Sequence, residues 1–236
     1  MSSQLLPDEQ RSVREEMLSA AVELLHADGP DALQTRKVAG AAGTSTMAVY
    51  THFGGMRGLI AEVAAEGLRQ FDAALSVPRT ADPVADLFAL GAAYRRYAIE
   101  RPHMYRLMFG STSAHGINAP ATNVLTLTIP EIEQRYPSFA HVVHAVHRCV
   151  LGGRIGTGRP ADPDDRADSD EKVVATAAQF WALIHGFVML ELAGHYGEDG
   201  AAVGPVLVAM TSNLLVALGD SPDAVTRSLR GQAGAP

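Results

Sequence analysis

The chain has 236 residues, of which 47% are hydrophobic and 19% are charged, and its formal net charge at pH 7 is −7. This length suffices for one large or two small domains with a buried core, and the composition is that of a soluble globular protein. The negative charge excludes a polycation that adheres to nucleic acid through bulk electrostatics, so any DNA-binding surface has to be local.

The single cysteine, Cys149, excludes an internal disulfide framework and favours a reducing, cytoplasmic compartment. Residues 1–9 have neither a basic region nor an apolar run of signal-peptide length. The most apolar later segments, 180–192 and 203–218, are too short or too polar to cross a bilayer. We therefore expect a cytoplasmic protein that does not contact a membrane.

Apolar residues recur three or four positions apart along the first third of the chain, and this period predicts α-helices. The predicted helices cover residues 11–27, 35–42, 45–53 and 56–75. Gly29 and Pro30 end the first helix, because glycine supplies a left-handed cap and proline cannot continue a helix. A tight turn at Gly43 separates the second and third helices, and Ser45 is a favourable N-cap for the third.

Residues 77–83 form a linker by composition, and helical patterns resume after it. The later predicted helices cover residues 84–100, 138–155, 172–193 and 200–218. The predicted irregular segments are a turn at 104–109, loops at 110–120 and 156–171, and a disordered tail over 219–236. Residues 121–129 are apolar and β-branched and are compatible with either a helix or irregular structure. No set of alternating strand segments is present, so the predicted fold class is all-α.

The second and third predicted helices have the features of a helix-turn-helix. Both are short, the turn between them contains glycine, and a small polar residue caps the second of the pair. No acidic residue occurs between Asp31 and Glu62, whereas the same stretch contains the basic side chains of Arg36, Lys37 and Arg57. A chain that is acidic overall thus keeps like-charge repulsion away from phosphate here, which predicts a DNA-binding surface.

The run from 33 to 59 resembles the N-terminal domain of the TetR family of transcriptional regulators. The tightest matches are Ala39, Ala42, Gly43, Ser45, Val49, Tyr50, His52, Phe53 and Leu59. A weaker match over 181–194 resembles the "WHG" type of C-terminal regulatory domain found in part of that family. The resemblance implies a three-helix helix-turn-helix domain over 1–56 and a helical ligand-binding and dimerisation domain over 57–219, with 220–236 as the disordered tail.

Carried over position by position, the resemblance implies DNA contacts at Thr35, Arg36, Thr44, Ser45, Thr46, Met47, Ala48, Tyr50, Thr51 and His52. The first two start the second helix and are expected at phosphate or base. The five from 44 to 48 are expected near the floor of the major groove, and the last three at the sugar-phosphate backbone. Hydroxyls, phenols and the N–H groups at helix N-termini are the usual phosphate partners. For Tyr50, a role in capping the core is the alternative.

Two positions depart from the family pattern. Gln34 stands where Ser or Thr is usual, which weakens the cap of the second helix, and Met56 stands where a lysine usually binds phosphate. We predict that Arg57 replaces that lysine. In the recognition helix, Met47 and Ala48 offer only apolar contacts, so Arg36 is the side chain that can make a bidentate contact to guanine.

The resemblance also implies a ligand cavity walled by the C-terminal helices. The predicted lining residues are Phe71, Phe88, Tyr97, Met104, Met108, Trp181 and His185. Helical proteins need aromatic residues and methionine in their cores as well, so for each of these side chains a place in the core is the alternative. A small apolar or aromatic effector is expected.

Three other sequence patterns resemble metal-binding or phosphate-binding sites only weakly. His141, His144 and His147 are three residues apart on one predicted helix and would need a fourth ligand to hold zinc or copper, so no metal is predicted. The acidic run 162–171 lacks the glycine of a calcium loop, and the glycine-rich run 151–158 lacks the lysine of a phosphate loop. No cofactor and no enzymatic activity are predicted.

The resulting hypothesis is a ligand-responsive repressor that binds a palindromic DNA operator as a homodimer and is released by a small molecule. The dimer interface is expected from the two apolar helices over 172–193 and 200–218. Activation rather than repression stays open. A small-molecule sensor that has lost strong operator affinity is the alternative from another class, motivated by Met56. A hydrolase or transferase has no nucleophile–base constellation to support it.

Overall fold

The computed structural model describes residues 7–109, 123–156 and 166–233, and all regular structure within these ranges is helical. The α-helices, in chain order, are α1 (Pro7–Asp28), α2 (Thr35–Ala41), α3 (Thr46–Phe53), α4 (Met56–Ala74), α5 (Pro83–Glu100), α6 (Pro102–Phe109), α7 (Ile129–Arg135), α8 (Pro137–Leu151), α9 (Arg166–Leu192), α10 (Ala209–Ala217) and α11 (Pro222–Ala233). Short 3-10 helices occupy Pro30–Ala32 and Val124–Thr126, and a π-helical turn over Val203–Val208 leads directly into α10. The all-α prediction is confirmed.

The chain divides into two compact units. The N-terminal unit comprises Met1–Gln70 and Glu100–Ala121, and the C-terminal unit comprises Phe71–Ile99 and Thr122–Pro236. This division differs from the predicted boundary after residue 56, because α4 as far as Gln70 and all of α6 belong to the N-terminal unit.

In the N-terminal unit, α1 packs against α2, α6 and the first 3-10 helix, and α2 packs against α3. The core side chains have the helical period and are almost inaccessible to solvent, for example Met17, Ala21, Leu25, Val38, Val49, Leu59, Val63 and Tyr105. At the edge of this core, Arg14 forms a 2.9 Å ion pair with Glu62, and its guanidinium lies 5.3 Å from the centre of the Phe53 ring. These contacts connect α1 to α3 and α4.

The joint between α3 and α4, which we define as residues 54–58, depends on glycine. Gly54 adopts the left-handed conformation (φ 68°), and its N–H donates to the Tyr50 carbonyl at 3.0 Å, which ends α3. Gly58 lies in the first turn of α4, where a Cβ atom would be 1.8 Å from the Phe53 carbonyl oxygen. Since that obstacle is backbone, α4 can approach the end of α3 this closely only with glycine at residue 58.

In the C-terminal unit, α8 and α9 pack along each other, and α9 also contacts the second 3-10 helix, the π-helical turn and α10. A polar contact crosses this largely apolar packing. Arg95 on α5 donates to both carboxylate oxygens of Glu191 on α9, at 2.8 and 2.7 Å, and Glu191 is 9% exposed. A buried carboxylate of this kind is retained only with such a partner.

The predicted disordered tail is wrong over Pro222–Ala233, which forms the amphipathic helix α11. Val225 is buried and Leu229, four residues later, is half-buried, so one face of α11 is apolar. The Ser228 hydroxyl donates to Asp82 Oδ2 at 2.6 Å, and Asp220 accepts from Arg154 at 2.8 Å. The small and polar residues of this segment gave no sign of these distant partners.

Three further predictions are corrected. The predicted turn at 104–109 lies within α6, and residues 166–171 of the predicted loop are the first turns of α9. The helix predicted over 200–218 begins with the π-helical turn at Val203 and ends at Ala217. Of the undecided segment 121–129, the described part contains the second 3-10 helix and the start of α7, whereas the loop predicted at 110–120 lies outside the described residues.

Two aspartates organise the start of α5. Asp82 caps the helix, since its Oδ1 accepts the N–H groups of Val84 and Ala85 at 3.0 and 3.2 Å. Asp86 accepts the Thr80 N–H and hydroxyl and a guanidinium N–H of Arg148. Burial alone would raise the pKa of each carboxyl, but these hydrogen bonds, with Ser228 and Arg154 at Asp82, hold both pKa values below their ordinary value.

Cys149 lies on α8 and is inaccessible to solvent. Burial raises the pKa of its thiol to about 12, so the nucleophilic thiolate is almost absent at pH 8. We expect the folded protein to leave less than about a tenth of this thiol modified by a disulfide reagent in an hour, and the protein in denaturant to react fully. Rapid modification of the folded protein would show instead that α8 opens on that timescale.

One helix of the described residues, over 170–192, is long and apolar enough to cross a membrane by length and composition, and 44% of its apolar window is buried within the protein. This helix is longer than the apolar segment 180–192 that the sequence predicts to be too short or too polar to cross a bilayer, because α9 already begins at Arg166. We interpret it as a core helix, since α8 and α10 pack against it.

Candidate nucleic-acid interface and ligand cavity

The turn between α2 and α3 directs the N-terminus of α3 outward. Thr44 N donates to the Ala39 carbonyl at 2.9 Å, which closes the turn at Gly43. Ser45 occupies the N-cap with extended backbone (φ −86°, ψ 153°), but its side chain makes no capping hydrogen bond. The first N–H groups of a helix have no partner within the helix, so α3 presents donors here that suit an anion.

The two faces of α3 differ sharply. Val49 is inaccessible to solvent and packs into the core, whereas Met47 is 68% exposed and Tyr50 is 60% exposed. Tyr50 therefore does not cap the core. Large apolar and aromatic side chains that stand out from a small folded unit are typical of a binding surface.

The positions predicted to contact DNA fall into two groups. The exposed ones are Arg36, Ser45, Thr46, Met47, Tyr50, Thr51 and Arg57, and the half-buried ones are Thr35, Thr44, Ala48 and His52. All belong to the N-terminal unit, and most lie on the solvent side of α2 and α3. The Thr51 hydroxyl donates to the Met47 carbonyl at 3.2 Å, so it has to rotate before it can donate to a phosphate.

Lys37 is not among the predicted DNA contacts, although it follows Arg36 and is exposed on the same short helix. Its charge was the available signal. Together with Arg36 and Arg57 it forms a set of exposed cations on a stretch without acidic residues. Gln34, the weak cap of α2, donates its side-chain amide to the Asp31 carbonyl at 3.0 Å and does not cap the helix.

The C-terminal unit contains a cavity of about 230 Å³. Its walls are contributed by α5, α8, α9, the π-helical turn, α10 and α11. The lining residues are Leu87, Phe88, Leu90, Gly91, Ala92, Tyr94, Arg95, Val142, Phe180, Leu183, Ile184, Val203, Leu207, Val208, Thr211 and Leu229. A mostly apolar cavity with a few polar groups is typical of a small-molecule site.

Three lining side chains carry polar groups, and each has a partner. Tyr94 Oη lies 3.3 Å from His185 Nδ1, the Thr211 hydroxyl donates to the Leu207 carbonyl at 2.9 Å, and Arg95 is paired with Glu191. Burial lowers the pKa of His185, which favours a neutral imidazole beside the Tyr94 hydroxyl. The wall therefore carries no uncompensated charge.

Of the seven predicted lining residues, Phe88 alone lines this cavity. Phe71 and Tyr97 pack together with a 5.0 Å ring separation, and Trp181 packs against Phe139 at 5.1 Å. His185 supports the wall through Tyr94 without lining the cavity. The other lining residues are mostly leucine and valine, which the sequence does not distinguish from core residues.

Met104 and Met108, also predicted at the cavity, belong to the N-terminal unit. Both are buried, and their sulfur atoms lie 2.4 and 2.9 Å from the point where Gly67 would carry a Cβ. Gly67 thus gives these two methionines of α6 the room to pack against α4.

The three histidines of α8 do not converge. His141 Nε2 lies 2.9 Å from Asp72 Oδ1, and His144 Nε2 lies 2.9 Å from Glu133 Oε1. Among the residues that the structure describes, no group of three or more histidine, cysteine, aspartate or glutamate side chains is arranged to hold a metal ion. Each of the two histidines thus pairs with its own carboxylate.

Comparisons with known proteins agree on both halves of the chain. The family model described as "Bacterial regulatory proteins, tetR family" matches residues 17–63. A second model, described as "Tetracyclin repressor-like, C-terminal domain", matches residues 87–214, which is more than half of the chain. No curated protein matches the sequence significantly.

Several solved structures share the fold. A protein of unknown function from Rhodococcus sp. RHA1 is 25% identical, with a TM-score of 0.63 over 88% of this chain and 96% of its own. RolR in complex with resorcinol is 13% identical, with a TM-score of 0.61 over 98% of this chain and 97% of its own. A tetR-family transcriptional regulator from Streptomyces coelicolor is 15% identical, with a TM-score of 0.58 over 97% and 91% of the two chains. The last two likenesses concern the fold alone.

Proposed function

The chain belongs to the TetR family of bacterial transcriptional regulators, and from this premise we propose that it binds a palindromic operator as a homodimer and is released by a small apolar molecule. Membership of the family makes it a DNA-binding regulator rather than an enzyme. The operator, the homodimer and the release are the parts that we propose. We also propose that it acts in the cytoplasm, as its single buried cysteine favours.

The observation that carries the proposal is the outward face of α3. Met47 and Tyr50 are exposed, as are Ser45 and Thr46 at the start of the helix, and all charged side chains between Asp31 and Glu62 are basic. A recognition helix in the major groove needs such a face, with apolar contact to thymine methyls from Met47 and a phenol for phosphate from Tyr50. We propose the eleven positions of the sequence prediction, with Lys37 added, as the DNA contacts.

The direct test is fluorescence anisotropy of the full chain on labelled DNA from upstream of its own gene, over a salt series. Saturable binding that survives excess random competitor DNA is expected for an operator-binding regulator. Binding equal to that of random DNA at every salt concentration would reject the proposal. It would favour the sensor with a weakened DNA-binding unit, which Met56 in place of the family lysine motivates.

Arg57 is expected to bind phosphate. It is exposed at the start of α4, one residue after the position of the missing lysine. Arg57→Ala should weaken binding to operator and random DNA alike and lower the slope of log affinity against log salt by about one unit. Arg69→Ala, which removes an exposed cation elsewhere on α4, is the matched control, and an unchanged slope in Arg57→Ala would contradict the assignment.

The homodimer is proposed to form through α9 and α10. Exposed small and apolar residues recur at four-residue spacing on α9, namely Ala182, Gly186 and Leu190, and Met210 and Val216 are exposed on α10. Two copies of such faces can bury each other around a two-fold axis, as two half-sites on DNA require.

Leu190→Glu should therefore convert a dimer at micromolar concentration into a monomer, as measured by sedimentation. A dimer that persists would exclude this face.

Release by a ligand is supported by the cavity of the C-terminal unit. A ligand shifts the population between two conformations only by its difference in affinity for them, typically about 1–3 kcal/mol of coupling. The expected result is a 5- to 150-fold loss of operator affinity at saturating ligand, by the same rule. We propose that the protein represses transcription and that binding of the ligand relieves this repression.

A further inference from the structure

We infer that the effector is an uncharged molecule of about the size of one substituted aromatic ring, and that the Arg95–Glu191 ion pair sets this preference. The inference rests on the proposed function in one respect, since it takes the cavity of the C-terminal unit as the effector site. Size, wall chemistry and charge each contribute an independent argument.

The size of the cavity limits the ligand. An apolar cavity of about 150 Å³ lined by leucine, isoleucine and phenylalanine binds benzene, and pockets for drug-sized ligands span about 300–1,000 Å³. The cavity here measures about 230 Å³ and lies between these values. It therefore has room for a ring with a few additional atoms.

The walls leave few hydrogen-bonding groups for a ligand. The Thr211 hydroxyl already donates to Leu207, and the Tyr94 hydroxyl already pairs with His185. Arg95 uses one N–H of Nε and one of Nη2 for its two bonds to Glu191, so the N–H groups of Nη1 and the second N–H of Nη2 are not used by this pair. One uncharged oxygen, in a hydroxyl or a carbonyl, is the polar feature that suits this wall.

The charge of the wall is already balanced. The Glu191 side chain is 7% exposed and holds the Arg95 guanidinium in a bidentate pair at 2.8 and 2.7 Å. A ligand carboxylate would have to share that guanidinium with Glu191, and two carboxylates at one cation repel each other. A cationic ligand would meet the guanidinium itself. Because an unpaired buried charge is strongly unfavourable, both ionic classes are disfavoured.

The test uses a matched pair of probes, 4-methylbenzyl alcohol and 4-methylbenzoate, which differ little in size and greatly in charge at pH 7.5. Binding to the full chain is measured by calorimetry in the absence of DNA. The wild type should bind the alcohol at least about tenfold more tightly than the benzoate. In Glu191→Gln the guanidinium loses its carboxylate partner, so this preference should fall by about tenfold or reverse.

Asp220→Asn is the matched control. Asp220 is also a buried carboxylate paired with an arginine of the same unit, at 2.8 Å from Arg154, but Arg154 does not line the cavity, whereas Arg95 does. Its loss should leave the preference between the probes unchanged. If Glu191→Gln fails to fold, the double variant Arg95→Gln/Glu191→Gln, with a neutral amide pair, takes its place. It lacks the Glu191 carboxylate that repels the benzoate, so its preference for the alcohol should be smaller than that of the wild type.

Three outcomes would overturn the inference: equal binding of the two probes by the wild type, binding of neither probe, or the same change of preference in Glu191→Gln and Asp220→Asn. Because no DNA is present, these outcomes are separate from those of the operator test. Intact discrimination between the probes together with a failure to bind any operator would reject the proposed function and leave the ligand class standing.

Discussion

Gly58→Ala is expected to lower the free energy of unfolding of the N-terminal unit by about 3 kcal/mol, and to reduce operator affinity together with it. The added Cβ would lie 1.8 Å from the Phe53 carbonyl oxygen, at the joint between α3 and α4. A backbone atom cannot swing aside as a side chain does, so α3 and α4 have to separate. The displaced α3 then presents Met47 and Tyr50 to DNA in the wrong place.

The matched control is Gly40→Ala on α2 of the same unit, where nothing lies within 4 Å of the added Cβ. Alanine favours a helix over glycine by about 1 kcal/mol, so this variant should be equally stable or more stable. Chemical denaturation gives the stabilities, and anisotropy gives the affinities. A Gly58→Ala variant as stable as the wild type would show that the joint relaxes without cost.

The second large effect is expected at Arg154, which follows α8 and joins three parts of the C-terminal unit. Its guanidinium contacts Asp82 at 3.0 Å, Asp220 at 2.8 Å and the Ser228 hydroxyl at 3.1 Å. Asp220 is only 7% exposed. Arg154→Ala leaves that carboxylate buried without its cation and should lower the free energy of unfolding by about 3 kcal/mol.

The free energy of unfolding that is lost in Arg154→Ala should decrease as the pH falls. Burial acts to raise the pKa of Asp82, but its hydrogen bonds from Ser228, Ala85 and Val84 and the charge of Arg154 hold it below its ordinary value. A carboxyl with a lowered pKa in the folded state contributes stability above its unfolded pKa of about 3.9, and this is lost as the pH falls through the folded value. The difference between wild type and Arg154→Ala should therefore be largest near pH 7 and shrink in acid.

The control for this variant is Arg69→Ala. Arg69 pairs with Glu66 at 2.6 Å, but its side chain is 60% exposed, and exposed pairs contribute little. Urea unfolding at pH 7, pH 5 and pH 3 measures both variants. Equal effects of the two substitutions would show that the contacts of Arg154 are no more important than a surface ion pair.

The helix-turn-helix was predictable because its signals are local. The predicted helices 35–42 and 45–53 are observed as Thr35–Ala41 and Thr46–Phe53, since glycine turns and the helical period lie within the segments themselves. The outward face of α3 follows from Val49 alone, because the buried position fixes the rest of the helix. The DNA contacts of that face stay a prediction.

The C-terminal features were less predictable, because their partners are distant in sequence. Helix α11 was missed, since Ser228 finds Asp82 only in the folded chain. The cavity was expected, but of its predicted lining Phe88 alone is found there, because leucines such as Leu87 and Leu207 look like core residues in the sequence. The ion pair between Arg95 and Glu191 could not be predicted either, because the two residues are 96 positions apart in the sequence.

Ser228 follows Asp82 by 146 positions in the sequence, and this separation has a consequence for biosynthesis. At a translation rate of about 5–20 residues per second, the ribosome adds Ser228 roughly 7–30 s after Asp82. Leu229, which belongs to the cavity wall, follows immediately, so the nascent chain carries an unfinished cavity during that interval. Chains released before Ser228 expose this apolar surface permanently, which makes them natural targets for chaperones and proteases.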